Sequence, residues 1–243
     1  MLVRLDREIV KRGFAETRSR AQFLIRSGGI LVNDKLITKT SYRVCKNDQV
    51  KLIRNVNRWV SRSGLKLEHA IKVFNLEPLD GIALDIGAST GGFTEVLLFY
   101  GCKKVYAVDV GKNQLNKKLK RDDRVVSLEQ TNAKNLDNLG IPLLDYIVCD
   151  ASFISIEKVL KHSLKYAKSN CQLIALIKPQ FEVGVSALGK RGIVRKSKFH
   201  YKACESVRTF LEKVGWLVEN LEESPITGSN GNVEFLISAS NNN

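Results

Sequence analysis

The sequence lacks the features that mark disulfide-rich, zinc-binding and membrane-spanning proteins. Its 243 residues include five cysteines and three histidines, and no C-x-x-C pair occurs. An odd number of scattered cysteines favours neither a disulfide framework nor a metal site, so we expect a cytoplasmic protein without a metal. No run of about 18 apolar residues is present, so no membrane span is expected. Residues 1–20 have no continuous apolar stretch, which argues against a secretory signal.

Positive charge is concentrated near the N-terminus. The chain has 39 Lys/Arg and 25 Asp/Glu residues, a net charge of +14. Residues 1–62 hold 15 of the basic and five of the acidic residues, so they carry +10 and the other 181 residues carry +4. This asymmetry indicates a basic module that binds a polyanion, with nucleic acid favoured over a membrane surface. The alternative is a charged face that only aids solubility.

Apolar spacing predicts a small α+β unit over residues 1–54. Residues 2–12 are expected to form a helix that ends at Gly13, and a second helix is expected to start at Thr17 or Ser19. A turn and short strands should follow, and the segments that indicate them are residues 30–32, the turn at 33–35, Val44 and residues 50–53.

Two segments of this unit, RLDREIVKRG and TRSRAQFLIRSGGILVNDK, resemble the S4 RNA-binding domain over about residues 3–54. The resemblance implies that basic side chains contact structured RNA through its phosphates, which positions RNA without reading its sequence. Each of these side chains could equally be solvated. The RNA-binding candidates are Arg4, Arg18, Arg20 and Arg26, with Arg58 and Arg62 from a basic linker at residues 55–62.

The pattern changes to alternating strands and helices after a predicted helix over Val60–Leu76. This alternation implies a parallel-rich sheet with helices on both faces, an α/β domain over residues 63–240. The seven predicted strands contain IALDI, VYAVD, VVSL, DYIVCD, CQLIALI, WLVENL and VEFLIS. Helices are expected from about Gly92 and near residues 112–120, 156–168 and 198–214.

A glycine-rich loop follows the first of these strands, as DIGASTGG from Asp85 to Gly92. Such a loop between a strand and a helix lets a ligand approach the backbone closely. The spacing is not G-x-G-x-x-G, and no Lys-Ser/Thr follows, so dinucleotide and nucleotide phosphate loops are disfavoured. Asp85 would suit a ligand with a cationic amino-acid group. Asp109, 24 residues later at the end of the next strand, can accept hydrogen bonds from both ribose hydroxyls.

The segment LDIGASTGGFTEVLL resembles motif I of class I, Rossmann-like methyltransferases, whose cofactor is S-adenosylmethionine. The resemblance implies a seven-stranded class I sheet. Asn132, after the third strand, is a plausible contact for adenine. The predicted cofactor-binding residues are therefore Asp85, Gly87, Ala88, Ser89, Gly91, Gly92, Phe93, Asp109, Asn132 and Asp150.

Four charged residues occupy positions where a solvated charge is unexpected. Lys66 falls in the helix before the sheet, Asp150 ends the strand DYIVCD and Lys178 ends the strand LIALI. Glu234 falls inside the last apolar strand, between Val233 and Phe235. Buried charges need partners or a changed protonation state. Each residue alone could be a paired structural charge.

The segments NRWVSRSGLKLEHA, CDASFISI, LIKPQFEVG and NVEFLIS, with motif I and the S4-like head, resemble the TlyA family of ribosomal RNA 2′-O-methyltransferases. This family is related to the FtsJ-type enzymes, and its members are often labelled hemolysins. The resemblance implies a Lys-Asp-Lys-Glu catalytic tetrad of Lys66, Asp150, Lys178 and Glu234. It also implies cytidines of 16S or 23S ribosomal RNA as targets. One departure is Asn57, where many relatives have an arginine two residues before the tryptophan.

The implied chemistry explains these residue types. A ribose 2′-hydroxyl becomes a good nucleophile when its proton is removed, and a buried lysine can act as that base near neutral pH. The resemblance assigns this role to Lys178, with Asp150 and Glu234 positioning the lysines and Lys66 orienting the ribose. Residues 182–194 are expected to form a mobile basic loop over RNA or cofactor, or an ordinary surface loop.

Other functions remain open at this point. Cys149 could be the nucleophile of a cytosine-base RNA methyltransferase, although a cysteine in an apolar strand is more often inert. The chain could instead be an RNA-binding ribosome-assembly protein without catalytic activity. A secreted pore-former, as the hemolysin label suggests, lacks support because no signal or lytic helix is present. We expect a monomer that binds ribosomal RNA or ribosomal subunits.

Overall fold

The computed structural model describes residues 2–15, 17–26, 28–53, 58–228 and 230–242. The chain divides into two compact units, Met1–Arg62 and Ser63–Asn243. The linker residue Asn57 lies outside the described residues. Among those that are described, no helix is long and apolar enough to cross a membrane.

The first unit packs two helices on short strands. The helices are α1 (Leu5–Lys11) and α2 (Arg18–Arg26), and the strands are β1 (Val3–Arg4), β2 (Ile30–Val32), β3 (Lys35–Leu36), β4 (Arg43–Val44) and β5 (Val50–Leu52). β1 pairs with β4, and β2 lies between β3 and β5. The core contains Leu5, Ile9, Ala21, Leu24, Ile25, Ile30, Val32, Val44 and Val50.

Local signals account for most of this unit. The Thr17 hydroxyl accepts a hydrogen bond from the Arg20 amide at 3.2 Å, as expected for a residue that starts a helix. Asn33 and Asp34 have φ values of 49° and 61°, the left-handed conformation of a two-residue hairpin turn. The expected helix start at residue 2 is wrong. Val3 pairs with Val44 in an antiparallel bridge, which keeps residues 3 and 4 extended.

The second unit is a seven-stranded sheet with helices. Its strands are β6 (Ile82–Ile86), β7 (Lys104–Val108), β8 (Val125–Leu128), β9 (Leu144–Cys149), β10 (Ala167–Ile177), β11 (Trp216–Glu223) and β12 (Phe235–Asn241). Its helices are α3 (Gly64–Val73), α4 (Gly92–Phe99), α5 (Lys117–Lys120), α6 (Ile156–Leu160), α7 (Pro179–Glu182) and α8 (Ser197–Lys213). Short 3₁₀ turns occur at Leu164–Tyr166, Val185–Ala187 and Lys190–Gly192.

The strand order is β11-β12-β10-β9-β6-β7-β8; β12 runs antiparallel to β11 and to β10, and the other neighbouring pairs are parallel. The central strands are nearly continuous apolar runs because both faces of a parallel sheet are covered. The predicted α/β class and the seven strands are confirmed. The parallel order brings the carboxyl ends of β9, β6 and β7 to one edge.

Three predicted helices are shorter than expected. The helix expected from Val60 starts at Gly64, and the one expected over 156–168 ends at Leu160. The helix expected over 112–120 covers only Lys117–Lys120 because Glu129 binds the preceding loop. Its carboxylate accepts hydrogen bonds from three backbone amides, those of Asn113, Gln114 and Leu115, at 2.5 to 3.1 Å.

Candidate active site

A cavity of about 380 Å³ opens at the carboxyl edge of the sheet. The segments after β6, β7, β8 and β9 line it, as expected for a ligand site in an open α/β sheet. Five of the predicted cofactor residues line this cavity, namely Gly87, Ser89, Asp109, Asn132 and Asp150. Asp85, Ala88, Gly91, Gly92 and Phe93 do not line it, and all five are buried.

The glycine loop is folded tightly against its neighbours. Gly87 has φ 81°, and a side chain there would come within 3.0 Å of the Ala151 backbone. Gly91 has φ 93°, and a Cβ atom would lie 2.2 Å from Leu119 and 2.7 Å from Leu115. The positive φ and these short distances therefore favour glycine at both positions, and glycine lets the loop close one side of the cavity.

Asp109 ties two loops of the cavity together. One carboxylate oxygen accepts the Ser89 amide proton at 2.8 Å, and the other accepts that of Gly111 at 2.7 Å. Each oxygen keeps a second lone pair. Asp109 is half-buried and lines the cavity, so these free lone pairs can accept hydrogen bonds from a ligand hydroxyl.

Asp85 lies beneath the loop and is fully buried. The Thr94 hydroxyl donates to its Oδ2 atom at 2.6 Å, and its Oδ1 atom has no hydrogen-bond partner. Burial raises the pKa of Asp85 to about 7, with a smaller contribution from the Asp150 carboxylate, while the Thr94 hydrogen bond opposes the shift. Asp85 therefore links β6 to α4 and does not line the cavity.

Lys178 and Asp150 form a buried ion pair at the ends of neighbouring strands. Lys178 follows β10, Asp150 follows β9, and the Nζ–Oδ1 distance is 2.7 Å. The Lys178 ammonium also donates to the Asp150 carbonyl at 3.1 Å and to the Ser152 hydroxyl at 2.7 Å. Nζ thus has two hydrogen-bond acceptors and the Asp150 carboxylate as an ion-pair partner, and together they hold it beside the cavity.

Lys66 and Glu234 form a second buried pair. Lys66 Nζ lies 2.5 Å from Glu234 Oε2, and both side chains are at least 95% buried. A Cβ atom at Gly228 would come within 2.5 Å of Glu234 Oε1, so the loop backbone approaches this carboxylate closely. The prediction that Glu234 lies inside the last strand is wrong. Glu234 comes directly before β12.

Strand register brings three members of the predicted tetrad to one edge of the sheet. Ile177 pairs with Phe235 in the antiparallel ladder of β10 and β12, so Lys178 and Glu234 are the next residues beyond it. Ala175 pairs with Cys149 between β10 and β9, so Asp150 continues the same edge. Lys66 joins this group from α3 through its ion pair with Glu234.

Cys149 has the environment of an inert thiol. It is fully buried in β9, and burial raises its pKa to about 12. A nucleophilic cysteine needs an accessible thiolate, so this environment argues against a cysteine-based mechanism.

Sequence reasoning did not single out Ser152 and Phe153, which also line the cavity. Ser152 accepts a hydrogen bond from Lys178, and Phe153 is 90% exposed at the cavity mouth with φ 67°. The Phe153 ring lies 5.3 Å from that of Phe181. An exposed phenylalanine with a left-handed backbone is unusual, but the sequence gives no sign of either property.

The first unit carries a separate group of basic side chains. Asp6 is fully buried and accepts hydrogen bonds from Arg4 Nε, Arg18 Nε and Gln22 Nε2 at 2.9 to 3.0 Å. The Arg4 guanidinium is the largest cause that holds the Asp6 pKa well below its usual range, and burial opposes it. Arg4 and Arg18 remain 36% and 51% exposed, so Asp6 orients two arginines that still reach solvent.

The other predicted RNA-binding arginines differ in their exposure to solvent. Arg26 is exposed in the last turn of α2, whereas Arg20 is half-buried with its guanidinium 5.6 Å from the Phe23 ring. Arg58 is exposed with its guanidinium 4.4 Å from the ring centre of Trp59, and Arg62 is half-buried.

Comparison with known proteins identifies both parts of the chain. Residues 59–241 match the family of FtsJ-like methyltransferases, and residues 3–50 match the S4 domain. Hemolysin A of Brachyspira hyodysenteriae is 41% identical over 96% of this chain and 98% of its own. The 16S/23S rRNA (cytidine-2′-O)-methyltransferase TlyA of Mycobacterium tuberculosis is 37% identical over 96% of this chain and 88% of its own.

The fold has a solved counterpart. A Streptococcus thermophilus protein named as a hemolysin candidate superposes with a TM-score of 0.77 at 42% identity, over 99% of this chain and 88% of its own. The similarity therefore extends through both units and includes the segments that carry the four buried charges.

Proposed function

Because this chain belongs to the FtsJ-like methyltransferase family, we propose that it transfers a methyl group from S-adenosylmethionine to a ribose 2′-hydroxyl of ribosomal RNA. The observation that carries the proposal is the pairing of Lys178 with Asp150, and of Lys66 with Glu234, at the edge of the sheet. The name of the TlyA relative supports a cytidine of 16S or 23S ribosomal RNA as the target. The enzyme would act in the cytoplasm, where ribosomes are assembled.

The cavity has the properties that the methyl donor requires. Its volume of about 380 Å³ is within the range of small-molecule sites. Asp109 would hold the ribose hydroxyls, Asn132 would contact the adenine, and the loop backbone around Gly87 would face the amino-acid part. The donor supplies a methyl group already activated on a sulfonium.

The two ion pairs would position and activate the ribose 2′-hydroxyl that accepts the methyl group. Asp150 and Ser152 hold Lys178 Nζ in place, and Lys178 in its neutral form would accept the proton from the 2′-hydroxyl. Lys66, fixed by Glu234, would orient the same ribose. With both reactants held in line, proximity supplies much of the rate.

The remaining surface would hold the RNA around this nucleotide. Arg4 and Arg18 of the S4 domain would bind phosphates, which is a positioning contact. Phe153 at the cavity mouth offers an aromatic face on which an unstacked base can lie. Both contacts suit a nucleotide drawn out of folded RNA.

Replacement of Lys178 by alanine tests the proposal. We expect Lys178→Ala to bind S-adenosylmethionine in calorimetry with wild-type affinity but to lose methyl transfer to ribosomal RNA by at least about 100-fold. The matched control is Lys168→Ala, which removes the ion pair of Lys168 with Asp145 from the other end of β10 and β9. Undiminished transfer by Lys178→Ala would contradict the assignment, as would an equal loss in both variants.

A further inference from the structure

The segment that runs from the end of α7 into α8 combines strong positive charge with a fixed backbone. Residues 183–204 contain six Lys/Arg residues and no Asp or Glu. Their charge of +6 exceeds the +4 of residues 63–243 as a whole, so the rest of that unit is net negative. One short stretch therefore supplies all the excess positive charge of the methyltransferase unit.

The basic side chains of this segment face solvent. All six are exposed, and they are Lys190, Arg191, Arg195, Lys196, Lys198 and Lys202. Within the part of the chain that the structure describes, no acidic side chain forms a salt bridge with any of them. Exposed charges that only aid solubility are usually interspersed with the opposite sign.

A buried asparagine anchors the segment to the active site. Asn232 is only 2% exposed; its Oδ1 atom accepts the Val194 amide proton at 2.9 Å and its Nδ2 atom donates to the Gly192 carbonyl at 3.1 Å. Asn232 lies two residues before Glu234, the partner of Lys66. The backbone that carries the tetrad glutamate thus also holds the basic segment.

Further contacts fix the 3₁₀ turn at Lys190–Gly192, which lies in this segment. The Gly189 amide donates to the Ile193 carbonyl at 3.0 Å, and Arg191 has φ 66° within this turn. His200 of α8 hydrogen-bonds the Val194 carbonyl at 2.9 Å, and its ring lies 5.6 Å from that of Phe235, the first residue of β12. The turn is therefore held from both sides, and its lysine and arginine side chains project from a defined backbone.

We propose that residues 190–198 form a second RNA-binding surface, which binds phosphates next to the nucleotide that is methylated. A cluster of exposed cations without acidic partners suits a polyanion, and its anchor places it beside the tetrad. The S4 domain holds the substrate through one set of phosphates, and this surface holds it through another. The inference rests on the proposed function for the identity of the RNA.

Neutralising three of these charges tests the surface directly. The variant is Lys190→Gln, Arg191→Gln, Lys196→Gln, and the matched control is Lys161→Gln, Arg121→Gln, Lys213→Gln, which removes three exposed charges elsewhere in the same unit. Binding to transcribed 16S and 23S ribosomal RNA is measured by filter retention at several salt concentrations. Each lost phosphate contact lowers the slope of log affinity against log salt by roughly 0.7 to 0.9.

We expect the segment variant to bind ribosomal RNA about tenfold more weakly, with a salt slope lower by about two, and the control variant to bind like wild type. Equal affinity and equal salt slopes in the two variants would overturn the proposal. RNA binding is measured without methyl transfer, so the two proposals can fail separately. If the protein binds RNA through this surface but transfers no methyl group, the proposed function is wrong and this inference stands.

Asn232→Ala provides a second test, which removes the anchor of the segment instead of its charges. It removes both side-chain hydrogen bonds to the segment and leaves every charge in place. Loss of RNA affinity in this variant, with the circular dichroism of the wild type, supports a surface that depends on its anchor. Wild-type RNA affinity in a folded Asn232→Ala protein would contradict that dependence.

Discussion

At the scale of single residues, two aspartates of the seven-stranded sheet have pKa values shifted in opposite directions. Asp85 accepts a hydrogen bond from the Thr94 hydroxyl, and burial raises its pKa to about 7. Asp145 accepts hydrogen bonds from Lys168 and the Ile82 amide, which hold its pKa below the usual value against the effect of burial. The two aspartates lie in neighbouring strands and should respond oppositely to pH.

Asp85→Asn should therefore become relatively more stable as pH rises. Because the folded pKa of Asp85 is raised, its contribution to the free energy of unfolding is fully present below the unfolded pKa and is lost progressively as pH rises from there through about 7. The free energy of unfolding of Asp85→Asn, minus that of wild type, should increase by roughly 2–4 kcal/mol between about pH 4 and pH 8. Urea unfolding without cofactor measures it.

Asp145→Asn supplies the comparison of opposite sign. Its folded pKa is lowered, so its stabilising effect is present above the unfolded pKa and is lost as pH falls. This variant should lose stability relative to wild type as pH rises through the unfolded pKa of about 3.9, and the difference should be nearly constant from about pH 5 to pH 8. A difference independent of pH for Asp85→Asn would show that Asp85 titrates normally.

Residue identity in the sequence indicated much of the site but not its contacts. Asp150 and Lys178 stood out because charged residues at the ends of apolar strands are unusual. The complete set with Lys66 and Glu234 came from the resemblance to the TlyA family. Their division into two ion pairs depends on strand register between distant segments, which local patterns do not contain. Asp6 and Asn232 escaped notice because each binds residues that only the tertiary fold brings near.

At the scale of elements, the glycine loop and α4 form one packed unit with α5. Gly91 has a left-handed backbone, and Leu119 of α5 occupies the space that a Cβ atom would need. Gly140 also has a left-handed backbone, φ 68°, but no atom lies within 4 Å of its Cβ position. Alanine at Gly140 would therefore introduce backbone strain alone, whereas alanine at Gly91 would introduce backbone strain and crowding.

Gly91→Ala should destabilise the protein more than Gly140→Ala. Strain alone costs about 1–2 kcal/mol at either position, and crowding against Leu119 should add about 1–3 kcal/mol at Gly91. Urea unfolding of both variants measures the difference. Equal losses would show that α5 moves away freely and that the loop does not depend on this contact.

Element boundaries mark where sequence reasoning failed. The apolar strands were found because their runs are long, while the helices near residues 112–120 and 156–168 were predicted too long. Glu129 accounts for the first error, since its carboxylate accepts the amides that a helix would otherwise use. A glutamate in a loop gives no local sign of such a role.

At the scale of the whole molecule, positive charge is concentrated in two regions, one in each unit. Residues 1–62 carry +10, and residues 183–204 carry the +6 that outweighs an otherwise net-negative second unit. Affinity for RNA should then come from both regions, whereas the methyl donor needs only the cavity of the second unit. The sequence predicts RNA affinity mainly in the first unit, and it leaves residues 182–194 open between a basic loop over RNA or cofactor and an ordinary surface loop.

The central claim is that the acceptor is a ribose hydroxyl, and the chemical identity of the product tests it most directly. Ribosomal RNA methylated by the wild-type protein with isotope-labelled S-adenosylmethionine would be digested to nucleosides and analysed by mass spectrometry. We expect the label to appear in 2′-O-methylcytidine and to be absent from the product of Lys178→Ala. Label in a base-methylated cytidine, or equal label from the two proteins, would contradict it.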